Sequence, residues 1–218
     1  MTEIVIFGTG SFAEVAYRYL TTDSEYDVVA FTADEEYIQN ETLLGCPVVV
    51  FKEVAAEYPP SEYDMFVAIA YTNMNHLRTQ TCQRAKKCGY DLVSYVASDV
   101  DLWDGVNIGE NCFIFEDQTV QPFVEIGNNV ILWSGNHLGH HSTIESNCFV
   151  ASQAVISGHV TIGEYSFVGV NATITDGVTI ADHSLVGAQA LITKDTEQGG
   201  VYAGNEASLR GSESREFL

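Results

Sequence analysis

Two rhythms in this sequence predict an α/β Rossmann-like domain followed by an all-β left-handed parallel β-helix. Over residues 1–97, short apolar runs alternate with helix-like stretches, as in a parallel sheet with crossover helices. From Leu102 onward an aliphatic residue recurs at every sixth position, the period of a solenoid with three short sides per turn. The chain divides accordingly into residues 1–97 and 98–218.

In the α/β part, Glu3–Phe7 reads as the first strand, Ser11–Leu20 as the first helix and Asp27–Phe31 as the second strand. Pro47–Phe51 and Met65–Ala70 read as two more strands. Asn73–Gly89 is a polar helix stopped by Gly89, and Leu92–Val96 is a last strand. About five strands make near half of a full dinucleotide-binding fold. Between the first strand and helix, Gly8-Thr9-Gly10-Ser11-Phe12-Ala13 fits GxGxxG/A, with glycines for a tight turn and helix N–H groups facing an anion. Asp34 follows the second strand and is placed to take a ribose hydroxyl, although so small a sheet argues against NAD.

In the second part, Leu102, Ile108, Ile114, Val120 and every sixth residue on to Ile192 are Leu, Ile or Val, sixteen positions in all. With roughly one residue in four aliphatic, chance gives this at odds on the order of 10⁻¹⁰. Four places after the aliphatic stand small residues such as Cys112, Ser142, Cys148, Ala154, Ser166, Ala172, Ser184 and Ala190. One large and one small side chain per side fill a narrow bore, and three hexads make a coil of 18 residues, so residues 102–191 make five coils. Gln118 and Asn136 break the small-residue rule 18 residues apart, as expected of a buried amide ladder in which each satisfies the other.

The formal charge is −21, from 30 acidic and nine basic residues, which disfavours nucleic acid or an anionic membrane as partner. No apolar run approaches the ~20 residues of a spanning helix, and Met1–Ile6 lacks the basic start of a signal peptide. Five cysteines at unpatterned spacings, with no CxxC, fit a reduced cytoplasmic protein. With so few cations, anion binding must fall largely on backbone N–H groups; Lys194, Arg210 and Arg215 are the basic residues near the repeat.

The chemistry concentrates at Gly135-Asn136-His137-Leu138-Gly139-His140-His141-Ser142, which holds three of the six histidines. Leu138 takes the bore, so His137, His140 and His141 face outward. Eighteen residues beyond His141 is His159, and 18 beyond His140 is Gly158, a backbone N–H without a side chain in the way. A base beside an open N–H donor is what acyl transfer requires.

In this two-domain order the chain resembles the bacterial sugar acyltransferases of the sialic-acid O-acetyltransferase type, which include N-acetyltransferases of UDP-linked 4-amino sugars. The resemblance implies a homotrimer, acetyl-CoA bound between neighbouring β-helices, and an amino-sugar or sugar hydroxyl acceptor in surface-polysaccharide biosynthesis. A non-catalytic sugar-binding scaffold is the alternative from another class. The family's base falls on His140, and its following glutamate is His141 here. The oxyanion donor falls on Gly158. Coenzyme contacts map near Phe149, Val170 and Ala188, and nucleotide-sugar contacts on Gly10, Ser11, Phe12, Asp34 and Ala70. The family's closing Gly-Asn-Pro-Ala stands as Gly204-Asn205-Glu206-Ala207. Trimeric β-helix enzymes of the carbonic anhydrase kind hold zinc with one histidine two coils before a close pair. Here those places are Asp101, Asp104 and Gly105, so no metal is expected.

Overall fold

The computed structural model describes residues 2–204. Its α/β part runs β1 (Thr2–Phe7), α1 (Ser11–Thr22), β2 (Tyr26–Ala33), β3 (Thr42–Leu43), β4 (Cys46–Val50), α2 (Phe51–Glu57), β5 (Asp64–Val67) and α3 (His76–Lys87). The sheet order is β3-β4-β2-β1-β5, parallel except for the β3–β4 hairpin. Alternation along β1 gives the sheet two dry faces. Ile4 and Ile6 join Ala13, Ala16 and Leu20 of α1, at the i, i+3, i+7 spacing of a single helix stripe, while Val5 and Phe7 join Phe51 of α2 and Cys82 and Ala85 of α3.

Two readings of this part need correction. Phe51 does not end a strand; it opens α2, and its ring packs edge-on against Phe7 at 5.1 Å. Leu92–Val96 adds no strand to the α/β sheet beyond a bridge from Leu92 to Met65. Tyr95–Val96 (β6) pairs instead with Phe113–Ile114, so the solenoid's hydrogen bonding begins at Tyr95. The fifth strand of the sheet is β3, too short to show an apolar rhythm.

The remainder is a triangular solenoid of two-residue parallel strands, each paired with its neighbour 18 residues on except Leu185–Val186, which pairs with Val201–Tyr202. One face carries Asn107–Ile108 and its repeats to Thr179–Ile180. A second carries β6, Phe113–Ile114 and repeats to Val201–Tyr202. The third carries Thr119–Val120 and repeats to Leu191–Ile192. The second residue of each pair points into the bore; from Ile114 to Ile192 these side chains are buried, as are the small residues four places later. Leu102 is an exception, 39% exposed and outside any strand.

A second six-residue series turns the corners. The residues from Gly105 to Gln189 at every sixth position all have φ between +52° and +88°. Eleven of those fifteen are Gly, Asn, Asp or His, the residues that tolerate the left-handed region best. The buried amide ladder lies in this series and not at the positions expected. Asn111 Nδ2 donates to Asn129 Oδ1 at 3.0 Å and Asn129 Nδ2 to Asn147 Oδ1 at 2.9 Å. Gln118 and Asn136 do not bond each other; both amides donate to the Trp133 carbonyl.

The α/β part sits on the second face. Phe113 is fully buried there among Phe12, Tyr19, Phe66 and Tyr95, with ring centroids 4.6–6.1 Å away. At one corner Tyr19 Oη and Ser134 Oγ donate to the two oxygens of Glu116, at 2.8 and 2.7 Å. Burial, with Glu116 beside it, pushes the Tyr19 hydroxyl up to about 12. At the other corner α3 inserts Arg78. This guanidinium is fully buried, donating to Asn129 Oδ1 (2.9 Å), Asn75 Oδ1 (3.0 Å) and the carbonyls of Asn129, Cys148, Ile69 and Ala70. Among the described residues no helix is long and apolar enough to cross a membrane.

Candidate active site

Of the N-terminal candidates, Gly10, Ser11 and Phe12 lie in the turn between β1 and α1 and at the start of α1. Gly8, at φ +131°, sits so close to Ala68 that a Cβ would lie 2.8 Å from its carbonyl oxygen, which fixes glycine there. Gly10 caps α1, and its carbonyl accepts from the Ala13 and Glu14 N–H groups, leaving those of Ser11 and Phe12 pointing out of the helix end. Gly10, Phe12 and Ala70 line one cavity of about 310 Å³ with Phe7, Thr9 and Tyr37. An adjoining cavity of about 310 Å³ shares Thr9, Gly10 and Tyr37 and adds Glu36, Gln39 and Asn40. Among the described residues no lysine or arginine lines either.

Two of these candidates have a second occupation. Phe12 packs on Phe113, Phe115 and Trp133 of the second face, so it also serves domain packing. Asp34 lines neither cavity. Its carboxylate is held by Arg84, with Nη1 to Oδ2 at 2.8 Å, and that hydrogen-bonded guanidinium keeps it below the usual carboxylate range. Arg84 in turn lies 4.6 Å from the Phe51 ring centroid. Nothing in the sequence pattern paired residues 34 and 84.

On the β-helix, His140 and His141 stand at the corner between the third and first faces, opposite the face that carries the α/β part. His140 Nδ1 is 3.2 Å from His141 Nδ1, and the His141 ring stacks on His159 at 5.0 Å. Phe123 extends the stack at 4.6 Å, so one corner column carries three aromatic rings. His141 and His159 occupy left-handed corner positions, at φ +58° and +56°, where the backbone itself favours histidine. His140, one place earlier, lies outside that series. Backbone geometry therefore accounts for two of the three histidines and leaves His140 for chemistry.

Gly158 lies under the His140 ring. A Cβ on it would fall 2.8 Å from His140 Cε1 and 3.0 Å from Nε2. At four equivalent corner positions a side chain meets the N–H: Glu110 donates to Asn128 Oδ1, Asn128 to Ser146 Oγ, His140 to Gln121 Oε1 and Glu164 to Asp182 Oδ1. At others, such as Ser134, Ser152 and Val170, none does among the described residues. The Gly158 N–H has no partner among the described residues. Asp176, 18 residues beyond Gly158, was legible only by extending the column another step, and Gln121, which fixes the His140 backbone from 19 residues back, lies off that column. Gly158→Ala should keep the fold, because only side-chain ends obstruct the new methyl. Turnover should fall about 100-fold as the imidazole is displaced. Unchanged turnover in that variant would detach the ring from the N–H.

One nitrogen from each of His140, His141 and His159 lies within 4.8 Å of the others, a set that could hold a metal ion. Tetrahedral zinc ligands stand about 3.4 Å apart, so these rings would have to turn to close on a metal. Of the coenzyme candidates, Phe149 is buried on the second face under Tyr71, 4.9 Å between centroids. Val170 and Ala188 are exposed at the corner between the second and third faces. The whole third face separates them from His140 of the same chain.

Fold and site define a hexapeptide-repeat β-helix with a histidine corner, carrying an α/β domain on the face opposite. Residues 3–85 match the family model of the PglD N-terminal domain, and residues 123–158 and 159–194 that of the bacterial transferase hexapeptide, six repeats. The chain therefore carries both domains of the sugar acyltransferases it resembles. Among solved structures it is similar to perosamine N-acetyltransferase PerB from Caulobacter crescentus, with 24% identity, a TM-score of 0.82 and coverage of 97% of this chain and 98% of that one. The acetyltransferase domain of PglB from Neisseria gonorrhoeae gives 23%, 0.80, 95% and 99%. WeeI from Acinetobacter baumannii gives 19%, 0.62, 87% and 96%. No curated protein matches the chain.

Proposed function

We propose that this chain is an acetyl-CoA-dependent N-acetyltransferase acting on the amino group of a nucleotide-linked amino sugar, in cytoplasmic synthesis of a surface polysaccharide or glycan. The observation that carries the reading is the His140 ring set over the unpartnered Gly158 N–H. The solved PerB holds CoA and GDP-perosamine, and PglB has been solved with acetyl coenzyme A. His140 takes a proton from the acceptor nitrogen as that nitrogen bonds to the thioester carbonyl carbon. The Gly158 N–H donates to the oxyanion, the C–S bond breaks, and the imidazolium returns its proton to the leaving sulfur. The Ser11 and Phe12 N–H groups, at the positive end of α1, suit the nucleotide's phosphates in a domain whose cavities offer no cation.

Geometry supports a homotrimer. The cavity beside Gly10 lies in the α/β part, which sits on the second face, and His140 stands on the corner opposite that face. An acceptor held by one chain reaches the base of another, and a coenzyme touching Val170 or Ala188 and His140 bridges two copies in the same way. A homotrimer would supply both contacts.

The test is acetyl transfer from acetyl-CoA to a panel of nucleotide 4-amino sugars that includes GDP-perosamine, followed by thiol release and product mass, with light scattering for assembly. Dialysis against EDTA should leave the rate unchanged. A rate lost to EDTA and restored by zinc would move the chemistry to a metal held by the three histidines, and a chain that binds no acetyl-CoA would be a scaffold.

A further inference from the structure

We infer that Asp176 selects a charged amine over a hydroxyl as the acyl acceptor, by holding the acceptor's ammonium between its carboxylate and the His140 imidazole. The inference rests on the acyl-transfer reading and adds a residue that neither the repeat pattern nor the resemblance had assigned.

His140, Gly158 and Asp176 stand 18 residues apart, on one column in three successive coils. A side chain at 158 would separate the outer two; glycine leaves a gap. The point a Gly158 Cβ would take lies 3.0 Å from His140 Nε2 and 2.9 Å from Asp176 Oδ1. Nε2 and Oδ1 are therefore at most about 6 Å apart, a span that one ammonium seated over the glycine can bridge, with less than a methyl group's room at the glycine itself.

Asp176 has no hydrogen-bond donor and no ion-pair partner among the described residues. Lys194, the next residue on the column, forms no ion pair with it. The carboxylate neither caps a turn nor balances a neighbouring charge. An ionised carboxylate only accepts hydrogen bonds. An ammonium answers it with donors and with charge, whereas a sugar hydroxyl offers one neutral donor. The amine arrives protonated, loses one proton to solvent, and then gives the second to His140 Nε2 as the C–N bond forms and the C–S bond breaks. The resemblance covers both amine and hydroxyl acceptors; Asp176 is where this chain would choose.

The test compares wild type and Asp176→Asn on two acceptors with acetyl-CoA: the nucleotide 4-amino sugar of the panel that the wild type uses best, and the same molecule with a hydroxyl in place of the amine. Asparagine keeps the size and removes the charge. The expected result is a 10–100-fold loss in kcat/KM for the amine, carried mainly by KM, as for a lost hydrogen bond to an ion. The hydroxyl compound should change less than twofold and the KM for acetyl-CoA should hold. Equal losses in kcat on both acceptors would mean that Asp176 acts through His140 and would overturn the inference, as would no loss on either. A wild type that acetylates no amine of the panel would overturn the acyl-transfer reading itself, and this inference with it.

Discussion

His140→Ala should lose 10²–10⁴-fold in turnover, the usual range for a general base, while melting temperature and acetyl-CoA affinity stay at wild-type values. The side chain is exposed and fills no core space. Its backbone lies outside the left-handed corner series, so alanine adds no strain there. The ring's neighbours are Gly158 beneath it and the exposed rings of His141 and His159 beside it. Near-full turnover in His140→Ala would place the base elsewhere on the corner.

The control is His141→Asn. Alanine at 141 would confound the result, since a φ of +58° costs a residue with an ordinary Cβ about 1–2 kcal/mol. Asparagine tolerates that conformation and removes the imidazole. What is lost is the contact with His140 Nδ1 and the stack on His159. The ring partner fixes orientation and supplies no negative charge to an imidazolium, so the loss should stay well below that of His140→Ala. The two variants together separate the base from its neighbour.

The bore was legible because the hexad is a direct imprint of geometry: every sixth residue must fit the same triangular cross-section, as Ile114 to Ile192 do. The corner series was equally present in the sequence, but left-handed backbone selects on φ and shape, so Phe123, Tyr165 and Gln153 blur its composition. The site followed from adding 18 to His140. What adding 18 could not supply is anything depending on the packing of the α/β part. Asp34 was singled out from its place after a strand, yet its partner Arg84 comes from a helix fifty residues on. Phe12 stood in a phosphate-loop motif, and only the docking of α1 shows its ring against Phe113. The Gln118–Asn136 ladder failed for a related reason. Spacing puts both amides on one column, but both donate to the Trp133 carbonyl, and Asn136 Oδ1 accepts from the Ala154 N–H.

Arg78 is the extreme case of such long-range dependence, and Arg78→Met should be the most destabilising substitution outside the bore. An arginine in a polar helix reads as a solvated side chain, yet this one is fully buried where α3 meets the β-helix. Burial pushes its guanidinium down to about 10, which leaves it charged at neutral pH. None of its hydrogen-bond acceptors is a carboxylate; amide and peptide oxygens hold the charge. Methionine matches much of the volume and removes every donor. Asn129 Oδ1 would keep its bond from Asn111 Nδ2 and the Cys148 carbonyl its bond from the Ile131 N–H, but the Asn129 and Ala70 carbonyls would lose the donors that Arg78 gives them. Stranded buried acceptors cost about 1–3 kcal/mol each, partly offset because a buried charge no longer has to be desolvated. A net loss of about 3 kcal/mol follows, or roughly 6–12 °C in Tm for a chain of this length. Arg78→Lys should fall between, since an ammonium keeps the charge but not the planar fork that reaches both domains at once. The Ala70 carbonyl belongs to the wall of the Gly10 cavity, so Arg78→Met should also raise KM for the nucleotide sugar while leaving acetyl-CoA binding intact. Denaturant melts read beside the two KM values decide it. A variant within 0.5 kcal/mol of wild type, as surface substitutions commonly are, would mean that water replaces the guanidinium and that the remaining contacts, the aromatic ones around Phe113 and the Tyr19–Glu116 hydrogen bond among them, hold the domains together.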